Sequence, residues 1–148
     1  MNNRKLMTLL RVAYCTSLAI AAMIVVFYET HILTAGTRAY DSQSNYKAEM
    51  IGVVLTIVAI PLALKLMSFK KVKALVYQQP KKYLKVSAFR IALLALTLIY
   101  NVLTYYLQGF DATLGYLALM VVVAFLFIWP SEGKMEYECG STLNSDEK

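Results

Sequence analysis

The sequence is poor in the side chains that carry out chemistry. In 148 residues it has one histidine, His31, and two cysteines, Cys15 and Cys139. Cys15 stands inside an apolar run and Cys139 in a polar tail, and neither has a Cys or His at metal-ligand spacing, so both read as reduced thiols. Glu29, Asp41 and Glu49 share a segment with His31, but their spacing matches no ligand pattern, so no metal site is expected. There is no glycine-rich phosphate loop and no nucleophile elbow. Thr16 and Ser17 lie in an apolar run with no base beside them. Neither an enzyme nor a cofactor site is expected.

Charge is scarce as well. Charged residues make up 16% of the chain and hydrophobic ones 59%, where a soluble domain has about a quarter charged. Mean hydropathy is +0.54. The net charge of +6 does not describe a nucleic-acid surface, because the charges fall between long apolar blocks instead of gathering on a water-facing domain. The solvent this composition fits is lipid.

What the chain does have is apolar length. A helix needs ~20 mainly apolar residues to cross ~30 Å of hydrocarbon. Four segments come close, at about 12–28, 50–69, 91–108 and 112–129. Lys65 interrupts the second near its basic end, within snorkelling reach of the headgroups, and Pro61 should kink it or free a carbonyl. Ala19-Ile20-Ala21 has the form of a signal-peptidase site, yet the apolar run continues through Phe27, which suits an uncleaved anchor better.

Between the second and third segments lies KKVKALVYQQPKKYLK, with Lys70, Lys71, Lys73, Lys81, Lys82 and Lys85 and no acid. With Lys65 and Arg90 the segment carries eight positive charges, and the N-terminus adds Arg4, Lys5 and Arg11. Residues 29–49, on the other side, are balanced, and Gly109-Phe110-Asp111 carries only an acid. Basic segments stay in the cytoplasm, so both termini and the lysine loop 70–85 are expected inside. Tyr28, Tyr105, Tyr106 and Phe110 would then mark the outer interface, and Trp129, Tyr77 and Tyr83 the inner one. The lysines could also hold anionic lipid, at about 1 kcal/mol each. The acidic, flexible tail 131–148 offers them another partner; docking of tail on loop and two independent segments both stay open.

The third segment carries a polar stripe. At 100° per residue, Arg90, Thr97, Asn101, Thr104 and Gln108 fall within about 60° of arc. Lipid cannot satisfy them, so the stripe should face protein or a water-filled cavity. The second segment offers a face of small residues, Gly52, Thr56, Ala59 and Ala63, along which backbones can approach. Thr56 and Asn101 each lie ~10 Å below the outer boundary, so Asn101 is expected to meet the face around Thr56. The stripe is interhelical glue or the lining of a solute path; its lack of an acid favours glue. Arg11-Val12-Ala13 and Arg90-Ile91-Ala92 open two segments, and eighteen residues on stand Glu29 and Gln108. The unequal outer loops favour chance over duplication.

IPLALKLMSF closing the second segment, RIALLALTLIYNVLTYYL as the third and the WPSEGK exit of the fourth resemble small uncharacterised four-helix inner-membrane proteins of bacteria. The resemblance implies a bacterial inner-membrane location and brings no functional residues with it. The expectation is an all-α, integral membrane four-helix bundle, N-in and C-in: a transmembrane domain 1–130 and a cytoplasmic tail. Its expected role is that of a non-enzymatic subunit or scaffold binding lipid and another membrane protein, or itself. The alternative is a homo-oligomeric transporter or pore lined by the stripe; an enzyme acting on lipids is remote.

Overall fold

The computed structural model describes residues 3–37, 42–66, 69–71, 74 and 80–129. Lys73 and the tail 131–148 lie outside the described residues, as does the side chain of Lys81. The chain is all-α, with four helices: α1 Asn3–Glu29, α2 Ser42–Lys65, α3 Pro80–Leu107 and α4 Ala112–Phe127. The first three are long and apolar enough to cross a membrane; α4 is apolar but has only 16 residues.

Three of the helices start before the apolar segments that define them, and α2, from Ser42, ends at Lys65 instead of near residue 69. α3 starts at Pro80, so Lys81, Lys82 and Lys85 stand on a helix and not in a connecting loop. Proline suits a first helical position, where its missing N–H has no partner to lose. α1 likewise extends back to Asn3, past Arg11 and Lys5. Lys70 and Lys71 are exposed.

α4 has clear stops at both ends. Asp111 caps it, its carboxylate accepting from the backbone N–H of Thr113 at 2.9 Å. It closes at Ile128, two residues before Pro130, and a proline disfavours helical geometry at the residue preceding it. The turn from α3 into α4 needs two left-handed residues, Gly109 (φ 80°) and Phe110 (φ 70°). Phe110 adopts that conformation with its ring edge-on to Tyr105 and Tyr106, at 5.7 Å from each.

α3 is the central helix, packed against each of the other three; α2 also packs against α4. α2, α3 and α4 thus pack on one another, and α1 lies against α3. Buried positions explain α3's place. Tyr83, Ser87, Arg90, Leu94, Thr97, Asn101 and Thr104 are all buried and recur at alternating steps of three and four. That 3.5-residue period keeps one seam of a helix against a neighbour along its whole length. In α1 the buried positions Met7, Leu10, Tyr14, Ala21 and Tyr28 keep the same period.

α1 is held at two levels. At the end where α3 turns into α4, here the turn end, Tyr28 stacks on Tyr106 with centroids 4.6 Å apart, and the Tyr106 hydroxyl donates to Glu29 at 2.8 Å. The loop after α1 joins them there: Gly36, at φ 75°, donates its N–H to the Tyr106 carbonyl and lies against Gly109. Toward the other end, the lysine end, the Tyr14 hydroxyl donates to the Phe125 carbonyl at 2.9 Å. Its ring stands edge-on to Phe125 and Trp129.

Candidate functional site

The residues with the most to explain are the polar ones of 90–108, a stretch otherwise built of Leu, Ile, Val, Ala and Tyr. Thr97 and Asn101 are fully buried, Thr104 and Arg90 nearly so, and Gln108 is half-buried. All four small-face residues of α2, Gly52, Thr56, Ala59 and Ala63, are buried as well. The structure brings the two sets together along one antiparallel seam.

Four hydrogen bonds cross that seam at different heights. At the turn end, Gln108 Nε2 donates to the carbonyl of Asn45 at 3.0 Å. Below it the Tyr100 hydroxyl donates to the Ala48 carbonyl at 3.0 Å. In the middle, Asn101 Nδ2 donates to Thr56 Oγ1 at 2.8 Å. Near the lysine end, Arg90 Nε donates to the carbonyl of Ala63. That carbonyl is in the last turn of α2, where four C=O groups have no partner within the helix. A guanidinium there satisfies one of them and places positive charge at the negative end of the helix dipole.

The two threonines behave differently. Thr97 Oγ1 donates to Leu93 O at 2.9 Å and Thr104 Oγ1 to Tyr100 O at 2.8 Å, each four residues back in its own helix. They are satisfied locally and add a small, smooth surface to the seam without bridging it.

Gly52 shows how close the approach is. A methyl group placed there would stand 2.9 Å from Leu114 Cδ2 of α4 and 3.0 Å from Asn101 Oδ1. Three helices therefore converge on this one Cα. Asn101 Oδ1 itself has no hydrogen-bond partner, and the same is true of Ser87 Oγ and Gln108 Oε1 on the same side of α3.

Tyr100, Tyr14 and the Tyr106–Glu29 pair were not singled out by the sequence as bridging groups. A tyrosine near the end of an apolar run reads as an interface anchor, and nothing local separates one that faces lipid from one that reaches a carbonyl. The 3.5-residue spacing of Met7, Leu10 and Tyr14 was the available signal for α1.

Chemically the seam joins helices and offers little else. The four bonds that cross it use no carboxylate, imidazole or thiol. Among the described residues, no three His, Cys, Asp or Glu side chains gather where they could hold a metal ion. Ser17 donates to the Ala13 carbonyl at 2.8 Å, within its own helix.

A second feature lies between α1, α3 and α4 in the half nearer the turn end. α1 and α4 stand apart there and leave a groove of about 670 Å³ floored by Leu98 and Val102. Leu18, Ala22 and Val25 form one wall, and Gly115, Leu119 and Val122 the other. Tyr105 closes its upper part, with its ring laid over Gly115 so that a methyl group there would stand 3.1 Å from it.

The chain matches no protein-family model, and neither curated proteins nor solved structures give a significant match to it.

Proposed function

We propose that this chain is a non-enzymatic protein of the bacterial inner membrane, with four crossing helices and both termini in the cytoplasm. Its role is that of a small subunit or scaffold that binds another membrane protein, or a second copy of itself. One observation carries this reading: side-chain donors along the α3 stripe are engaged on α2. Four bonds from Gln108 down to Arg90 tie the two helices together, and the threonines between them are satisfied within α3. A polar stripe engaged in this way is interhelical glue. The outward faces of α1, α2 and α4 are left to meet lipid or protein, with Met23, Val26, Ile57, Val58, Met120 and Val123 all more than half exposed.

The orientation rests on charge. The lysine end gathers Lys5, Arg11, Lys65, Lys70, Lys71 and Lys85, and a cytoplasmic location is the common fate of such clusters. Native mass spectrometry after mild extraction from the host membrane tests the role. A foreign protein bound at fixed stoichiometry, or a dimer of the chain, is the expected outcome; a bare monomer at every extraction condition refutes it.

The transporter or pore reading has one specific point in its favour. Ser87 Oγ, Asn101 Oδ1 and Gln108 Oε1 are buried acceptors without partners at three heights of one face. Asn101→Leu combined with Thr104→Val separates the readings: weakened assembly is expected of glue, whereas lost solute flux with assembly intact is expected of a path.

A further inference from the structure

We infer that Arg90 and Ser87 form a carboxylate site at the lysine end, and that its occupant is Glu132 of the chain's own tail. The inference goes beyond the subunit role proposed above and does not rest on it.

Burial sets the requirement. Arg90 is nine-tenths buried and uses one N–H, that of Nε, on the Ala63 carbonyl. A guanidinium has five N–H donors, and its charge is costly to bury unless an anion stands beside it. Three residues back on α3, about 5–6 Å away by helical spacing, is Ser87. Its hydroxyl is buried and has no hydrogen-bond partner. Thr97 and Thr104 bond the carbonyl four residues back, whereas Ser87 does not, which leaves its O–H for another group. A carboxylate seated here accepts from the guanidinium and the hydroxyl together, in the charge-assisted bonds that are the strong ones.

This site lies where two helices of the bundle stop. Counted back from the turn, the 16 residues of α4 reach about the level of Ala92 in α3. α2 ends at Lys65, two residues after the carbonyl that Arg90 holds. Ser87 is thus ~7 Å past the end of α4 and Tyr83 ~13 Å past it. Both are nonetheless buried. Of the four helices only α1 and α3 continue to that level, and two helices cover no more than the seam between them. The face needs a further segment of chain.

Charge selects the segment. Of the chain's nine acids, Glu29 and Asp111 are at the turn end, and Asp41 directly precedes α2 there. Glu49 is on α2 itself, fourteen residues and about 21 Å from Ala63. The other five, Glu132, Glu136, Glu138, Asp146 and Glu147, are all in the tail 131–148. Residues 66–79, which also start from the lysine end, contain none. The tail leaves α4 beside the site, since the Trp129 ring stands against Tyr14 in the basic half of α1. Glu132 is its first acid, three residues after Trp129, and three extended residues reach ~10 Å. Met135 and Tyr137 follow and supply apolar cover for Tyr83.

The test is limited trypsin digestion of the full chain in detergent micelles, read as release of residues 135–148 by cleavage after Lys134. Each rate is divided by that of the free peptide 129–148 carrying the same tail substitution. The wild type should be cut about tenfold or more slowly than its peptide, given bonds to a charged group. Glu132→Gln and Arg90→Gln should each restore most of the peptide rate, and the double variant should be no faster than either. Ser87→Ala, which leaves the bond from Arg90 to Ala63 in place, should speed cleavage about threefold or more. Glu147→Gln should change nothing. Wild-type cleavage at the peptide rate overturns the inference, as does a Glu132→Gln chain protected like the wild type. Should Arg90→Gln fail to fold, Ser87→Ala decides in its place, and unchanged protection there removes the site. A tail cut at the peptide rate, with one anionic phospholipid retained in native mass spectrometry and lost in Ser87→Ala, gives the site to a headgroup phosphate and overturns the occupant.

Discussion

The carboxamide of Asn101 gives its nitrogen to Thr56 Oγ1 and sets its oxygen over Gly52. Both halves of the group were partly legible in the sequence, because an asparagine stands out in an apolar helix and Gly52 and Thr56 lie one turn apart. The depth argument that paired Thr56 with Asn101 needs only the helical rise and antiparallel order. Tyr100 was not legible, although it bridges the same two helices from the adjacent position. Within a micelle, a double-mutant cycle of Asn101→Leu and Thr56→Val should give a coupling of ~0.6–1.7 kcal/mol, the range for bonds of this kind between membrane helices. A coupling indistinguishable from zero would leave the pair with packing alone. Gly52→Val should lower stability by a further ~1–3 kcal/mol through overpacking, since Leu114 and Asn101 must both move. Reversible denaturation in the same micelle measures it.

At the scale of the helices, Arg90 has a role that its place on the stripe did not reveal. The sequence marks it as the polar foot of α3; in the structure it caps α2. The reason it was missed is that a capping partner 27 residues away leaves no local pattern. α2 also has Pro61 inside it, which removes one backbone bond in the same final turns. The end of α2 is thus the part of the bundle most dependent on a side chain from elsewhere. Arg90→Met should speed amide exchange over residues 62–65 by about tenfold or more, given ~1.5–3 kcal/mol for a bond from a charged donor. Arg90→Lys should fall between, because an ammonium does not reproduce the planar fork. Unchanged exchange in both variants would remove the capping role. The start of α3 at Pro80 was illegible for a related reason: a lysine-rich stretch reads as loop until a buried partner, here Tyr83, shows that one side of it packs.

Over the whole molecule, the apolar parts of three helices are similar in length. The lengths from Arg11 to Glu29 in α1 and from Arg90 to Leu107 in α3 are about 27 and 26 Å at 1.5 Å per step, and the 16 residues of α4 make about 24 Å. The shortness of α4 therefore matches the apolar part of its neighbours, and the surplus of α1 and α3 is basic helix that continues past it. An apolar height of ~24–27 Å is somewhat below the ~30 Å of an average bilayer. Thermal stability in phosphatidylcholine vesicles of graded chain length should accordingly be greatest in bilayers slightly thinner than average, and fall as the chains lengthen. A stability that rises steadily with chain length would place the boundaries elsewhere.

This pattern of packing also orders events during synthesis. α1 and α2 are made first and are adjacent in the chain, but neither packs substantially on the other. Both depend on α3, and the bonds that hold α1 come from Tyr106 and from Phe125 near the end of α4. The first hairpin to leave the ribosome consequently has no internal partner. It must wait as two separate helices until roughly the third quarter of the chain has emerged, and during that interval its surfaces have no partner within the chain.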